Sequence, residues 1–242
     1  MAGLSACGLL AVLVYVYATR IEPRWLAVRR IRLSPTPTLT VIHLSDIHYK
    51  GDQAYLERVV RRINAIPADL VCFTGDLVED RAHLEDSLAI LSRVNKPLFG
   101  IPGNHDQWAQ LPWPVIGEAL RGTGGDWLVD TNTMALGGRA AICTRWDLPM
   151  APAARRILLT HYPNAAGAIR GVAFDLILAG HTHGGQVRLP LVGHLVMPYN
   201  AGDHDYGLFR TPAGPLFVSS GVGTYFMDVR FGCRPEIVVI EL

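Results

Sequence analysis

Two histidines one residue apart, His181 and His183, stand in Gly180-His181-Thr182-His183-Gly184-Gly185-Gln186, directly after the apolar run from Phe174 to Ala179. A short apolar run closed by glycine reads as a buried strand. Both imidazoles therefore fall at a strand's C-terminal end, where open α/β sheets gather ligands. Residues two apart in extended chain face the same way, and imidazole is suited to hold a metal or move a proton near neutral pH. The neighbouring glycines let the backbone turn tightly and approach whatever is bound. Alone, such a pair also fits two ordinary hydrogen-bonded histidines. It gains weight because other predicted strands end alike: Asp46 and His48 after Leu39–Ser45, Asp76 after Asp69–Thr74, Asn104 after Leu98–Ile101, His161 after Arg155–Thr160.

Carboxylate, imidazole and amide oxygen together suit borderline first-row cations such as Mn, Fe, Zn or Co, and neither thiolate-preferring metals nor all-oxygen calcium sites. Asp46, His48, Asp76, Asn104, His161, His181 and His183 are too many for one tetrahedral ion and the right number for two ions sharing a carboxylate. Such a pair, roughly 3.5–4 Å apart, clamps both oxygens of an in-line displacement and lowers the pKa of a bridging water. The spacing points to chemistry on a phosphoryl group.

The elements that must position these residues alternate in type. Leu56, Val59, Val60, Ile63 and Ile66 recur at helical spacing within Gln53–Ile66, and Ala82–Asn95 reads as a second helix ended by Lys96-Pro97. The order β-α-β-α-β implies parallel strands whose polar ends line one edge. Further on, Trp113–Arg121 reads as a short helix, and Trp127–Arg145 as strands with a hairpin at Gly137-Gly138. A short helical segment follows near Asn164–Ile169, with strands around Gln186–Leu189, Leu216–Ser219 and Glu236–Glu241. The expected fold class is α/β: two packed β-sheets flanked by helices in four layers, with an N-terminal membrane helix.

Composition bounds the rest. A chain of 242 residues can bury one large core. Its net charge of +1 argues against nucleic acid as partner. Cys7, Cys72, Cys143 and Cys233 are scattered and suggest neither a zinc knuckle nor a disulfide framework. Ala2 to Ala18 carries no charge and is followed by Arg20, Arg24, Arg29, Arg30 and Arg32. Residues 1–19 are expected to form a transmembrane or signal-anchor helix, 20–37 a basic Pro/Thr-containing linker, and 38–242 the catalytic domain. The positive-inside rule then predicts a single-pass protein of the inner membrane whose domain faces the cytoplasm. An export segment and an interfacial helix are the alternatives.

Asp46-x-His48, Gly75-Asp76, Gly103-Asn104-His105-Asp106, His161 and Gly180-His181-x-His183, in this order, resemble the calcineurin-like metallophosphoesterase superfamily. Gly180–Gln186, Gly221-Val-Gly, Val229-Arg-Phe and Arg234-Pro-Glu236 resemble a branch of membrane-associated phosphohydrolases that includes a UDP-2,3-diacylglucosamine diphosphatase of lipid A biosynthesis. The resemblance implies a four-layer α/β/β/α sandwich. It assigns Asp46, His48 and His183 to one divalent metal, Asn104, His161 and His181 to a second, and Asp76 to both, with manganese the first expectation. It makes His105 the group that meets the leaving oxygen, with Asp106 setting its tautomer. The implied function is phosphoester or pyrophosphate hydrolysis by a metal-activated hydroxide, on a phosphorylated small-molecule or lipid-linked substrate. UDP-2,3-diacylglucosamine, cleaved to lipid X and UMP, is the leading candidate. A general phosphodiesterase on cell-envelope or nucleotide material, and a non-catalytic anchored scaffold, are the other readings. His204, Arg230 and Arg234 are secondary candidates for substrate contact, and Trp108, Trp113, Trp127 and Trp146 for an apolar mouth.

Overall fold

A computed structural model describes residues 2–149 and 152–242, with side chains from Cys7 onward. Helix α1 covers Ala2–Val16 and strand β1 Ala27–Arg32. The chain then alternates β2 (Thr40–Leu44), α2 (Gln53–Asn64), β3 (Leu70–Phe73), α3 (Leu84–Leu91), β4 (Leu98–Gly100), α4 (Asn104–Trp108), α5 (Trp113–Arg121) and β5 (Asp126–Trp127). Strands β6 (Asn132–Ala135), β7 (Ala140–Cys143), β8 (Arg155–Leu159) and β9 (Leu176–Ala179) follow, then the short pair β10 (Arg188–Leu189) and β11 (Gly193–His194). Strands β12 (Gly207–Thr211), β13 (Gly214–Val218) and β14 (Glu236–Glu241) complete the fold.

Two six-stranded sheets result, in the orders β1-β14-β2-β3-β4-β5 and β12-β13-β9-β8-β7-β6. Strands β2 to β5 run parallel in the first, and β7, β8, β9 and β13 in the second. Both sheets are mixed, because β14 opposes β2, β6 opposes β7 and β12 opposes β13. Side chains alternate faces along a strand. Val41, Leu70, Cys72, Val238 and Ile240 thus meet Ile157, Leu159, Leu176, Leu178 and Phe217 between the sheets. Ile42, Leu44, Val71, Phe73 and Val239 face α2, α3 and α5 instead. Helix α2 buries Leu56, Val59, Val60 and Ile63 there, each contributing about 1.5–3 kcal/mol. Its first turn is capped by Asp52, which accepts from the Tyr55 N–H at 3.1 Å.

Three expectations need correction. First, the outer face of the second sheet is covered by a 3-10 segment at Pro163–Ala168 and by loop residues Trp146, Ala153 and Val172, so among the described residues the fourth layer has no α-helix. Asn164, Gly167 and Pro163 favour tight turns over a full helical face.

Second, residues 27–32, read as linker, form an edge strand in register with β14 from Ala27–Glu236 to Arg32–Glu241. Arginines at an open edge guard it against pairing with another chain, and that charge disguised the strand.

Third, the N-terminal segment does not make the expected spanning helix. Helix α1 has 15 residues, which reach only about 22 Å at about 1.5 Å per residue against the roughly 30 Å of a bilayer's hydrocarbon. Among the described residues, which exclude Met1, no helix is long and apolar enough to cross a membrane. The reason lies in Tyr17–Ile21, which widens into a π turn and docks on the domain. The Arg230 N–H donates to the Ala18 carbonyl at 2.9 Å, and the buried Glu22 carboxylate accepts from the N–H groups of Gly232 and Cys233. From Cys7 to Val16 helix α1 stays exposed, Leu9, Leu10, Val12 and Leu13 included.

Candidate metal centre

Because β2, β3 and β4 are parallel neighbours, and β8 and β9 likewise, their C-terminal ends share one edge of the molecule. The turns leaving those strands are severe. Asp46, His48, Asp76, His181 and His183 all have φ between 42° and 70°, a left-handed backbone that costs roughly 1–2 kcal/mol for an L-residue. Asp and His tolerate it better than most side chains, and such strain gathers where a side chain must be aimed. Close approach of the loops also demands glycine. A Cβ on Gly103 would lie 2.1 Å from Asp76 Oδ1, and one on Gly180 would lie 1.9 Å from Ser45 Oγ.

Two triads emerge, Asp46–His48–His183 and Asp76–His161–His181, each with ligand atoms within 4.8 Å of one another. His48 Nε2 and His183 Nε2 lie 3.0 Å apart, and Asp46 Oδ1 is 3.5 Å from His183 Nε2. In the second triad, Asn104 Oδ1 is 2.9 Å from His161 Nε2. Asp76 joins the two, its Oδ2 standing 3.4 Å from His48 Nε2 and 3.3 Å from His161 Nε2. All seven ligand candidates are therefore brought together.

The donor set fits two divalent cations. His48 donates from Nδ1 to Glu79 Oε1 at 2.5 Å, His161 from Nδ1 to the Thr74 carbonyl at 2.8 Å, and His181 from Nε2 to the Tyr199 carbonyl at 2.7 Å. Each ring thus has its outer nitrogen committed and turns the other toward the centre, where a bound cation would require it unprotonated, the way metal-binding histidines are held. The facing Nε2 atoms of His48 and His183 can share one proton in a hydrogen bond, and a cation between them would take both lone pairs. Asp46, His48, His183, Asp76, His161, His181 and Asn104 are the residues that would hold the pair.

The electrostatics show how tightly these charges are crowded. Burial would raise the pKa of Asp76, but the imidazolium of His161, its hydrogen bond and the nearby His48 pull the carboxyl well below the usual range. Burial opposes the charge on His161, yet Asp76 and Asp46 lift it to about 9. Burial and the positive His161 push His181 down to about 4, and burial drives His183 well below its ordinary value. Asp46 is raised, by burial first and by Asp76 next.

The proposed partnership of His105 and Asp106 is different from the one expected. Asp106 does not orient the imidazole. Its fully buried carboxylate accepts from the N–H groups of Gly103, Asp76 and Leu77, each at 2.8 Å, and so locks two ligand loops together. Burial and the neighbouring Asp76 raise its pKa to about 6. Glu79 orients His105 instead, accepting from Nδ1 at 3.1 Å with the oxygen not used by His48. Burial disfavours the His105 cation, but the Glu79 hydrogen bond and Asp76 outweigh it and raise its pKa. Sequence reasoning passed over Glu79. Its one signal was an acidic residue three places after Asp76 in Gly75-Asp76-Leu77-Val78-Glu79.

The secondary candidates separate clearly. Trp108 lies against His105, with ring centroids 4.8 Å apart, and lines the cavity over the metal residues. Trp113 and Trp127 stack on each other within the helical core, and Trp146 packs outside the second sheet. Arg230 is fully buried, its guanidinium donating to the carbonyls of Ser220, Gly223 and Cys233, while Arg234 stacks on Trp25. His204 packs edge-on against Phe209. Tyr225, which the motifs did not flag, closes the cavity between His48, His105 and His183.

Comparison with known proteins bears on this site. The Calcineurin-like phosphoesterase family profile matches residues 39–185, which include all seven ligand candidates. The metallophosphoesterase YkuE of Bacillus subtilis is 30% identical over 83% of this chain and 76% of that protein. The phosphodiesterase YaeI of Escherichia coli is 30% identical over 91% of this chain and 90% of its own length. The transmembrane protein with metallophosphoesterase domain of Bos taurus is 28% identical over 87% of this chain and 54% of that protein.

Proposed function

Since the chain belongs to the calcineurin-like phosphoesterase family and is a metal-dependent phosphoester hydrolase, we propose that it is a dinuclear phosphodiesterase acting at a membrane on a lipid-linked diester or pyrophosphate. The observation that carries the dinuclear reading is Asp76, whose single Oδ2 lies between ring nitrogens of both triads. Asp46, His48, His183, Asp76, Asn104, His161 and His181 would hold two divalent cations, Mn(II) the first to supply, which would provide Lewis-acid polarisation of the phosphoryl oxygens and water of lowered pKa. Asn104 and Asp76 hold the centre rigid, and Asp106 keeps their loops in register. His105 gives its Nδ1–H to Glu79, so Nε2 is the nitrogen left to protonate the departing oxygen. Trp108, Tyr199 and Tyr225 wall the cavity and limit bulk water around the phosphoryl group.

Membrane attachment rests on the exposed apolar helix α1 and on Arg20, Arg24, Arg29, Arg30 and Arg32, which favour an anionic cytoplasmic leaflet. The bovine relative's name agrees with that setting. UDP-2,3-diacylglucosamine, giving lipid X and UMP, is the first lipid-linked substrate to supply. A general phosphodiesterase on envelope or nucleotide material is the second reading, favoured by the likeness to YaeI.

The test is hydrolysis of bis(p-nitrophenyl) phosphate by purified protein with Mn(II), which chelation or Asp76→Ala should abolish. Activity retained by a metal-free Asp76→Ala protein would overturn the mechanism. UMP release from UDP-2,3-diacylglucosamine then separates the two substrate readings.

A further inference from the structure

A second cavity, of about 410 Å³, opens beside the metal centre. Its walls are Val187, Leu195, Val196 and Pro198 on one side and Phe226 and Met227 on the other. It shares His183, Pro198 and Tyr225 with the cavity over the ligand residues, so the two spaces adjoin. Two of the polar side chains along it, Gln186 and Thr182, are committed elsewhere. The Gln186 side chain donates from Nε2 to the Tyr225 carbonyl at 3.2 Å and accepts from the Tyr225 N–H at 2.8 Å, and Thr182 Oγ1 accepts from the Gly184 N–H.

The walls are held in place independently of any ligand. Asp205 accepts from Arg188 Nη1 at 2.9 Å and from His194 Nδ1 at 3.3 Å, which pins the β10–β11 hairpin that carries Leu195 and Val196. Gln186 ties the Tyr225–Met227 arm to the opposite wall. The rim is apolar and bare: Val196 is 71% exposed and Phe226 84%. The same hairpin, through Pro190, Leu191 and Val192, lines a surface groove together with Tyr17 at the foot of α1. The hairpin next to the open apolar mouth therefore also borders the groove at the foot of the apolar helix.

We infer that this cavity is a subsite for the hydrocarbon chain of the substrate, so that a phosphorylated amphiphile binds with its phosphoryl group at the metal residues and its tail between the 187–198 segment and Tyr225–Val229. The inference rests on the phosphodiesterase reading and deepens it. It commits to one occupant because a preformed slot lined mainly by apolar side chains beside a phosphoryl site offers a sugar or a base few hydrogen bonds. A tail drawn from water into it gains with each buried methylene, whereas a head group gains nothing there.

The Mn(II)-loaded full chain is titrated calorimetrically with n-alkylphosphonates from methyl to dodecyl, kept below their micelle concentrations, and hydrolysis of alkyl p-nitrophenyl phosphodiesters is followed over the same lengths. Affinity and kcat/KM should rise about fourfold per methylene, then level off once the cavity is full. Val196→Asn and Met227→Gln, both at exposed rim positions, should flatten that slope; effects common to every chain length cancel in it. Short esters that are cleaved with no dependence on length, or a slope untouched by both variants, would overturn the inference and leave the phosphodiesterase reading standing. Tight, length-dependent phosphonate binding without turnover would support the subsite and sink the activity. Absence of binding at every length would sink both.

Discussion

Glu79 is where a single atom change tests the site most sharply. Its two carboxylate oxygens each accept one ring N–H, from His48 at 2.5 Å and from His105 at 3.1 Å. The side chain is 26% exposed, so these bonds are only partly shielded from water. Glu79→Gln keeps the shape but leaves one accepting oxygen for two donors, and its amide N–H₂ then faces a ring N–H. One charge-assisted hydrogen bond is worth roughly 1.5–3 kcal/mol; a loss near 2 kcal/mol corresponds to about 30-fold. That falls within the 10- to 100-fold range seen when a carboxylate behind a metal-binding histidine is removed. If the retained oxygen stays with His105, the loss appears in Mn(II) affinity, read by the EPR signal of free Mn(II). If it stays with His48, the loss appears in kcat at saturating metal. Glu79→Asp, too short to reach both rings, should restore one of the two quantities and not the other. The exposed Glu85→Gln serves as the charge control. Mn(II) affinity and kcat both within threefold of the wild type in Glu79→Gln would refute the reasoning.

Other consequences follow from the same geometry. Asp106→Ala strands three N–H groups, two of them on the Asp76 loop, and should cost roughly 3–5 kcal/mol, a fall in Tm of about 6–20 °C by calorimetry. His105→Ala should lower kcat by about 10²–10⁴-fold while bound metal, measured by elemental analysis, stays at two per chain; metal loss instead would make His105 a ligand. In the metal-free protein, His161 should stay protonated up to about pH 9 and His181 neutral down to about pH 4, as followed by imidazole NMR. By linkage, the raised His161 stabilises the metal-free fold fully below its ordinary pKa and loses that contribution as pH climbs through about 9. The depressed His181 acts oppositely, removing stability as pH falls from its ordinary value towards about 4. Urea midpoints measured across that range check the signs.

By itself the sequence determined the order of strands and helices around the site and the kind of chemistry at the strand ends. Apolar periodicity is a local property, and Asp46, His48, Asp76, Asn104, His161, His181 and His183 carry their donor atoms wherever the chain goes. Folding decided which of those atoms face one another and what stands behind them. Glu79 could replace Asp106 as the partner of His105 only because two loops pack within hydrogen-bond distance, and no spacing rule encodes that contact. Tertiary packing likewise turned the arginine-rich 27–32 segment into an edge strand and shortened α1 by docking Tyr17–Glu22 on the domain. The apolar cavity beside His183 is a property of two distant segments fixed in place by Asp205 and Gln186. Burial and distance between residues far apart in the chain are set by the whole core, and only the folded molecule expresses them.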